Sequence, residues 1–310
     1  MSKFENDALG TRMKEYEDVT RFKLSRKTFI LCRCDGNAFH TYTRGLERPF
    51  DQALIDDMDE TAKYLCNKIQ NVKFAYVQSD EISLLLHEED QDTQPWFSNG
   101  IQKMSSIAAS KATSKFNNLR LQRRVNMLFA HSFSTISAPV DELHRRAKEF
   151  VAGEKLAEFD ARFWTLPSAI EVYNYFLWRQ QDAEKNSISS CAQNLLGHKA
   201  LEGKNGLVKK AMMLEKGFDW EKLDGGKKYG RFIEKVTYIN DKPGKILTMK
   251  EDGYDDVVQY VHDGVVYPEF QPFPFLDKKT DVVRNRWEVV PMPRLIEDKD
   301  FLLSRIKTQE

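Results

Sequence analysis

Two alternating apolar runs on either side of a short acidic turn constrain this chain more than anything else in it. Val72-Lys73-Phe74-Ala75-Tyr76-Val77 and Ile82-Ser83-Leu84-Leu85-Leu86 flank Gln78-Ser79-Asp80-Glu81. Period-two alternation broken by a polar stretch predicts a β-hairpin whose turn presents two carboxylates. A third run, Thr28-Phe29-Ile30-Leu31-Cys32-Arg33-Cys34, closes on Asp35-Gly36. Acids at the ends of adjacent strands, with Gly and Ser beside them, suit a Mg²⁺–nucleotide site. Taken alone, Asp80-Glu81 also fits an ordinary solvated turn, so the neighbouring elements have to decide.

Those elements follow from periodicity. Leu54, Met58, Ala62, Leu65 and Ile69 recur at helical spacing after Asp51, and Ile101, Met104, Ala108, Ala112 and Phe116 mark a second helix over roughly 96–118. A strand is predicted from Met127 to Ser137, ending at Ala138-Pro139. The order is then β-α-β-β-α-β, an antiparallel α+β layout shared by RNA-recognition modules, nucleotide cyclases and polymerase palms. The strands carry no exposed Gly/Phe-rich aromatic motif of the kind an RNA-recognition module uses. A palm, by contrast, carries acids at the end of its first strand and at its central hairpin, where Asp35 and Asp80 fall.

The second half opens near Pro139 with a charged stretch predicted to be helical. Phe159 to Pro167 reads as a short strand, and Ser168-Ala169-Ile170-Glu171 as the capping box of a helix running to about Leu196. Arg179, Asp182 and Asn186 share one polar face of that helix. From Asp241 onward, Pro, Gly and aromatics predict short strands and turns. We expect a palm-like catalytic domain over residues 1–140 and a C-terminal region with a variable tail over 141–310.

Of the 310 residues, 41% are hydrophobic and 12% aromatic, enough for a packed core. No apolar run is long enough for a membrane span, the start does not read as a signal peptide, and the four cysteines lack zinc-site spacing. A reduced, cytoplasmic setting is expected. Net charge is zero, 47 against 47, but it is unevenly spread. Phe97 to Val140 holds no acid, while Lys103, Lys111, Lys115, Arg120, Arg123 and Arg124 fall there. A second lysine-rich stretch runs from Lys199 to Arg231. Each fits a solvated face; two of them around an acidic site also fit phosphate binding.

Two-metal nucleotidyl transfer needs hard oxygen ligands holding two Mg²⁺ ions about 3.5–4 Å apart. Asp35 and Asp80 are the candidate ligands, and the Gly36 carbonyl is a third, since glycine lets backbone approach an ion. Glu81 is catalytic only if the turn bends it inward, because strand neighbours point to opposite faces. Ser79 and the backbone N–H groups of residues 36–40 are candidate phosphate donors. Lys103 lies on a small-residue helix face, which equally fits close helix–sheet packing. No Ser/His/Asp or Cys/His nucleophile site, P-loop or dinucleotide-binding glycine pattern is present.

Four phrases also resemble those of one family. They are Arg33-Cys34-Asp35-Gly36-Asn37-Ala38-Phe39-His40 (R-x-D-G-x-x-F-H), Tyr76-Val77-Gln78-Ser79-Asp80-Glu81-Ile82-Ser83, Phe159-Asp160-Ala161-Arg162, and Trp178-Arg179-Gln180-Gln181-Asp182. With the start at Gly10 to Glu17 they stand in the order found in tRNA-His guanylyltransferases and their bacterial, archaeal and phage relatives, the 3′–5′ RNA polymerases. The resemblance spans roughly residues 9–232.

It implies a Mg²⁺-dependent nucleotidyltransferase that activates the 5′ end of a tRNA with ATP or GTP and then adds nucleoside triphosphates there. By position it makes Asp35, Gly36 and Asp80 metal ligands, with Glu81 supporting. Nucleotide would be held by Asp35, Gly36, Asn37, Ala38, Phe39, His40, Ser79 and Asp80, with Lys103 and Arg48 on the triphosphate. The family's tetramers imply a homotetramer. Guanylyltransferases proper carry His-Ile-Asn-Asn where this chain has Glu184-Lys185-Asn186-Ser187, and this resembles the branch that repairs tRNA 5′ ends by templating. G addition at position −1 of tRNA-His, a palm-type cyclase and a non-catalytic RNA-binding module are the alternatives.

Overall fold

The computed structural model describes residues 8–88, 92–133, 155–240, 245–249, 257–262, 265–267 and 282–306. Helix α1 (Ala8–Asp18) precedes strand β1 (Phe29–Gly36), the one-turn helix α2 (Phe39–Tyr42) and helix α3 (Gln52–Lys68). The hairpin β2 (Val72–Gln78) and β3 (Glu81–Leu86) leads to α4 (Ile101–Phe133) and β4 (Phe159–Leu166). Helices α5 (Ala169–Leu196), α6 (Gly206–Glu215) and α7 (Gly225–Tyr229) then precede β5 (Arg231–Asn240). Strands β6 (Lys245–Met249), β7 (Val257–His262), β8 (Val265–Tyr267) and β9 (Val282–Val290) and helix α8 (Asp300–Ile306) complete the described chain.

Two compact units result, Met1–Glu234 with Val289–Glu310, and Lys235–Glu288. The second contains a three-stranded antiparallel sheet of order β6-β7-β8. The larger sheet has the order β4-β1-β3-β2-β5-β9, with β1 antiparallel to both β3 and β4. The first four positions are the predicted split βαβ arrangement, and β4 and α5, which lie beyond residue 140, belong to the same compact unit as β1–β3.

One expected strand is misplaced. Residues 127–133 continue α4, while 134–137, like the charged stretch after Pro139, lie outside the described residues. Between Gly100 and Pro139 there is no Gly or Pro, so nothing in the sequence halts the helix. Strand β4 takes the fourth place in the palm order instead. The start of α4 also falls later than predicted, because Phe97, Ser98 and Asn99 all adopt positive φ.

Strand alternation divides the core between the two faces of the sheet. Leu31, Phe74, Tyr76 and Leu85 pack with Tyr173 and Phe176 of α5 and with Leu302 and Ile306 of α8. Helices α3 and α4 cover the opposite face, burying Met58, Ala62, Leu65, Met104, Ala108 and Phe116. Asp51 caps α3 by accepting from the Leu54 N–H at 2.8 Å, and Ser168 caps α5 by accepting from the Glu171 N–H at 3.3 Å. The predicted capping box is half made, because the Glu171 carboxylate accepts from Asn174 Nδ2.

Gly230 ends α7 with φ +81°, and Tyr76 Oη donates to the carbonyl of Tyr229 at 2.6 Å. A Cβ at position 230 would lie 2.3 Å from that hydroxyl oxygen. Gly230→Ala therefore combines a left-handed backbone with loss of a buried hydrogen bond. We expect it to lower stability by about 2–4 kcal/mol in urea unfolding.

Candidate active site

The acidic centre is built by sheet register. Asp35 sits opposite Glu81 on β3 and Asp160 on β4, so three strands bring carboxylates to one end of the sheet. A two-residue turn, Ser79-Asp80, closes the hairpin with Ser79 at φ 46°. Its Asp80 carbonyl accepts from the Gly36 N–H at 3.2 Å, which fastens the turn to the end of β1. Burial pushes the Asp80 carboxyl above its ordinary value; hydrogen bonds from Ser79 and its own backbone pull it back, and the nearby Asp35 charge adds to the rise.

Glu81 has another partner. Arg179 of α5 donates Nε to one of its oxygens at 2.8 Å and Nη2 to the other at 2.7 Å. Ser83 Oγ adds a third donor at 3.2 Å, and Arg179 Nη2 also meets Asp182 at 3.0 Å. Burial raises the Glu81 carboxyl, and the Arg179 guanidinium opposes the rise. The carboxylate is thus engaged in a bidentate pair inside the protein, away from a shared-ligand role.

The loop after β1 narrows what can meet a phosphate. The Gly36 N–H is taken by Asp80, and the Asn37 N–H by the carbonyl of Glu158 at 2.8 Å. Ala38 is left-handed (φ 50°) and stands at the start of α2, so the N–H groups of residues 38–40 have no intrahelical acceptor. Phe39 is a packing residue, buried against Tyr42, Phe116 and Phe159. Its ring folds over Gly36, where a Cβ would lie 2.2 Å from Phe39 Cδ2, so this position excludes any side chain. His40 is exposed.

Lys103 is not brought to this centre. Thr113 Oγ accepts from the Phe159 N–H, Asn117 pairs with the Ala157 backbone, and Phe159 lies opposite Gly36. Residues 113–117 of α4 are therefore level with the acids. Lys103 is about 15–21 Å back along the helix axis from residues 113–117, with its ammonium 5.7 Å from the Phe97 ring. Arg48 lies with Ser79 on the wall of a cleft of about 190 Å³ formed by α3, α5, α7 and the hairpin turn.

The donor set fits Mg²⁺ held jointly with substrate. Among the described residues there is no group of three or more His, Cys, Asp or Glu able to hold a metal alone. Two carboxylates and a carbonyl, one carboxylate strained by burial beside the other, suit an ion that keeps water and takes its remaining oxygens from phosphates.

The profile of the family described as Thg1, tRNAHis guanylyltransferase, matches residues 10–167. This chain belongs to that family. It is accordingly a nucleotidyltransferase of the Thg1 family, with a tRNA substrate implied by that membership. A bacterial tRNA(His) guanylyltransferase (Thg1)-like protein solved in complex with ATP is 33% identical, covers 97% of this chain and 100% of its own, and superposes with a TM-score of 0.68. The form solved in complex with GTP is 32% identical with the same coverage and a TM-score of 0.64. The tRNA(His) guanylyltransferase of Debaryomyces hansenii is 27% identical over 179 residues, which is 56% of this chain and 58% of that protein.

Within this Thg1-family site, Arg33 of the R-x-D-G-x-x-F-H phrase has its Nη2 3.8 Å from Asp35, whereas its Nε is buried with no hydrogen-bond partner among the described residues. Two further cations escaped the sequence motifs. Lys227 and Arg231 line the same cleft as Ser79. Both belong to the lysine-rich stretch, whose sequence gives charge but no direction.

Two outcomes follow. A carboxyl whose folded value is raised contributes its stability below the unfolded value of 3.8 and loses it as pH rises through the folded one. Metal-free Asp80→Asn should therefore melt a few degrees above wild type at pH 7, with the gap closing as pH falls below 3.8. Arg179→Met should lower stability by about 3–5 kcal/mol by stranding the Glu81 carboxylate. Adding Glu81→Gln should recover much of that loss in the same denaturant titration.

Proposed function

We propose that this Thg1-family chain is a Mg²⁺-dependent nucleotidyltransferase that adds nucleotides to tRNA in the 3′–5′ direction, repairing 5′-truncated ends by templating. The observation that carries the reading is the Asp35–Asp80 pair, fastened by the Gly36–Asp80 hydrogen bond and opening beside a cleft lined by cations. In this reading Asp35, Asp80 and the Gly36 carbonyl hold two Mg²⁺ ions. When bound, such ions neutralise a triphosphate and favour ionisation of an attacking hydroxyl. The chain's own part is to hold the acids at fixed spacing, to offer Ser79 and the N–H groups of residues 38–40 to phosphate oxygens, and to place Arg48 beside them. ATP or GTP, the nucleotides of the bacterial Thg1-like complexes, would activate the 5′ end.

The repair subtype is supported by the positions where guanylyltransferases carry His-Ile-Asn-Asn. Here Glu184 faces Lys210 at 3.7 Å and Arg294 at 3.4 Å, and Ser187 accepts from Trp220 Nε1 at 3.1 Å. Of the four, Asn186 and Ser187 line the cleft. We assign tRNA contacts to the region beyond residue 140, and a cytoplasmic homotetramer as the working state, on the family resemblance alone. No helix among the described residues is long and apolar enough to cross a membrane.

Asp35→Ala and Asp80→Ala should each give a folded protein unable to extend a 5′-truncated tRNA supplied with nucleotides and Mg²⁺. Full extension by either variant would remove the two-acid site. On a panel of truncated tRNAs, wild type should restore the templated nucleotide in each. Preference for full-length tRNA-His with untemplated G addition would instead identify G−1 synthesis, and cyclic nucleotide formed without RNA a cyclase.

A further inference from the structure

Four of the five tryptophans, Trp96, Trp164, Trp220 and Trp287, are buried or half-buried. The fifth, Trp178 of α5, is 53% exposed, although it stands next to Arg179, the partner of Glu81. Leaving so large an apolar ring in water forgoes the burial that a tryptophan normally brings to a core. The ring is nevertheless held in place. The Arg179 guanidinium carbon lies 4.5 Å from its centroid, and the Tyr175 ring meets it edge-on at 6.0 Å. Arg179 is itself fixed by two contacts with Glu81 and one with Asp182. Among the described residues no other aromatic ring or cation packs on Trp178.

Its neighbours place the ring beside the acidic centre. The Tyr175 hydroxyl is 2.8 Å from Ser83 Oγ, the Tyr175 ring is 5.5 Å from that of Trp164 on β4, and Arg179 reaches Glu81 on β3. At about 100° per residue, position 178 falls on the far side of 175 from 179, hence toward β4, the edge strand of the sheet. Arg162 shares a face of β4 with Trp164, is exposed, and lies one strand repeat nearer Asp35. On α5 the exposed neighbours of Trp178 are Asn174, Gln181 and Lys185, all neutral or cationic. The nearby carboxylates are engaged: Asp182 by Arg179 and Asn186, and Asp160 by Arg162 at 3.4 Å. A rigid, exposed π-face bordered by cations and neutral donors is the surface on which a nucleobase stacks.

We propose that Trp178 is the stacking platform for a nucleobase at the end of the RNA being extended, with Arg162 and Lys185 meeting phosphates of the same strand. The inference rests on the tRNA substrate of the proposed function and adds the group that holds the RNA end at the sheet edge. Because Arg179 and Tyr175 fix the ring before RNA arrives, stacking costs little side-chain entropy. Every base offers a π-face, so such a platform accepts any sequence. That tolerance is what templated addition at differing tRNA ends requires.

The test is anisotropy titration of the full chain with an acceptor-stem minihelix RNA lacking its first 5′ nucleotide, at fixed salt and without triphosphates. Trp178→Ala should bind about tenfold more weakly, and Trp178→Phe, which keeps a π-face, nearly as wild type does. Cooperative melting of each variant checks the fold. The second arm replaces one end base at a time by an abasic residue, either the first base of the 5′ strand or the unpaired base facing the gap. Wild type should lose a similar factor at one of these positions, and Trp178→Ala should lose nothing further there, which assigns the stacked base. Equal abasic losses in both proteins at both positions, or wild-type affinity in Trp178→Ala, would overturn the proposal. So would a smaller oligomer of Trp178→Ala in light scattering with those losses still equal, which would assign the ring to a contact between copies. Binding with this coupling by a wild type that never extends the RNA would sink the enzymatic reading and keep the platform; extension without the coupling would remove the platform and keep the enzyme.

Discussion

The pairing of Arg179 with Glu81 is the interaction on which the arrangement of the site depends. It joins the first residue of β3 to the middle of α5, two elements nearly 100 residues apart in sequence, through two parallel N–H···O contacts of 2.7 and 2.8 Å. Both side chains are almost wholly desolvated, so each is tolerable only while the other is present. Ser83 and Tyr175 extend the link, their hydroxyls 2.8 Å apart. Because Asp80 is the residue before Glu81 in the turn, fixing one fixes the other. A carboxylate pair needs its spacing set before any ion arrives, since repulsion between the acids would otherwise spread them.

That pairing also divides labour among the acids that register brings to the sheet end. Glu81 faces inward and is neutralised by protein; Asp160 is half-exposed beside Arg162 at 3.4 Å. Asp35 and Asp80 remain, with the Gly36 backbone between them. Gly36 then has two reasons to be glycine: its carbonyl can approach an ion, and the Phe39 ring occupies the space of a side chain. Only the second is a packing fact, and it would hold in a protein that never bound metal.

Much of this was legible from alternation. Residues 31, 33 and 35 had to share a face, as did 81, 83 and 85, and the acids of one face had to meet if β1 paired with β3. The sequence also ranked Glu81 last among the ligands, though not why, because a partner in a helix 98 residues away leaves no local trace. That residues 127–133 are helix and not the expected strand has a plain cause. Its apolar residues fit either period, and with no breaker before Pro139 the helix simply continued. Lys103 lies apart from the acids for a different reason. Helix spacing places it on a face, but only the pairing of Thr113 and Asn117 with the start of β4 tells how far along the axis that face meets the site.

Charge runs illustrate the same limit more sharply. The acid-free stretch from Phe97 to Val140 was one candidate phosphate-binding surface, yet Arg120 and Arg123 converge on Asp57 of α3, which is 1% exposed, at 3.2 and 2.6 Å. Those cations close a buried bond between α3 and α4 and have little charge left for a polyanion. The lysine-rich stretch from Lys199 to Arg231 is diluted by acids. Some of its members are indeed consumed locally, as where Lys210 meets Glu221 at 2.8 Å and stacks over Trp220. Yet Lys227 of α7 reaches the wall next to Ser79, whereas Arg231, which β5 brings to the same wall by pairing with β2, is held by Asp59 at 2.6 Å. What a cation can bind is settled by which acid reaches it first, and in this fold strand pairing decides that.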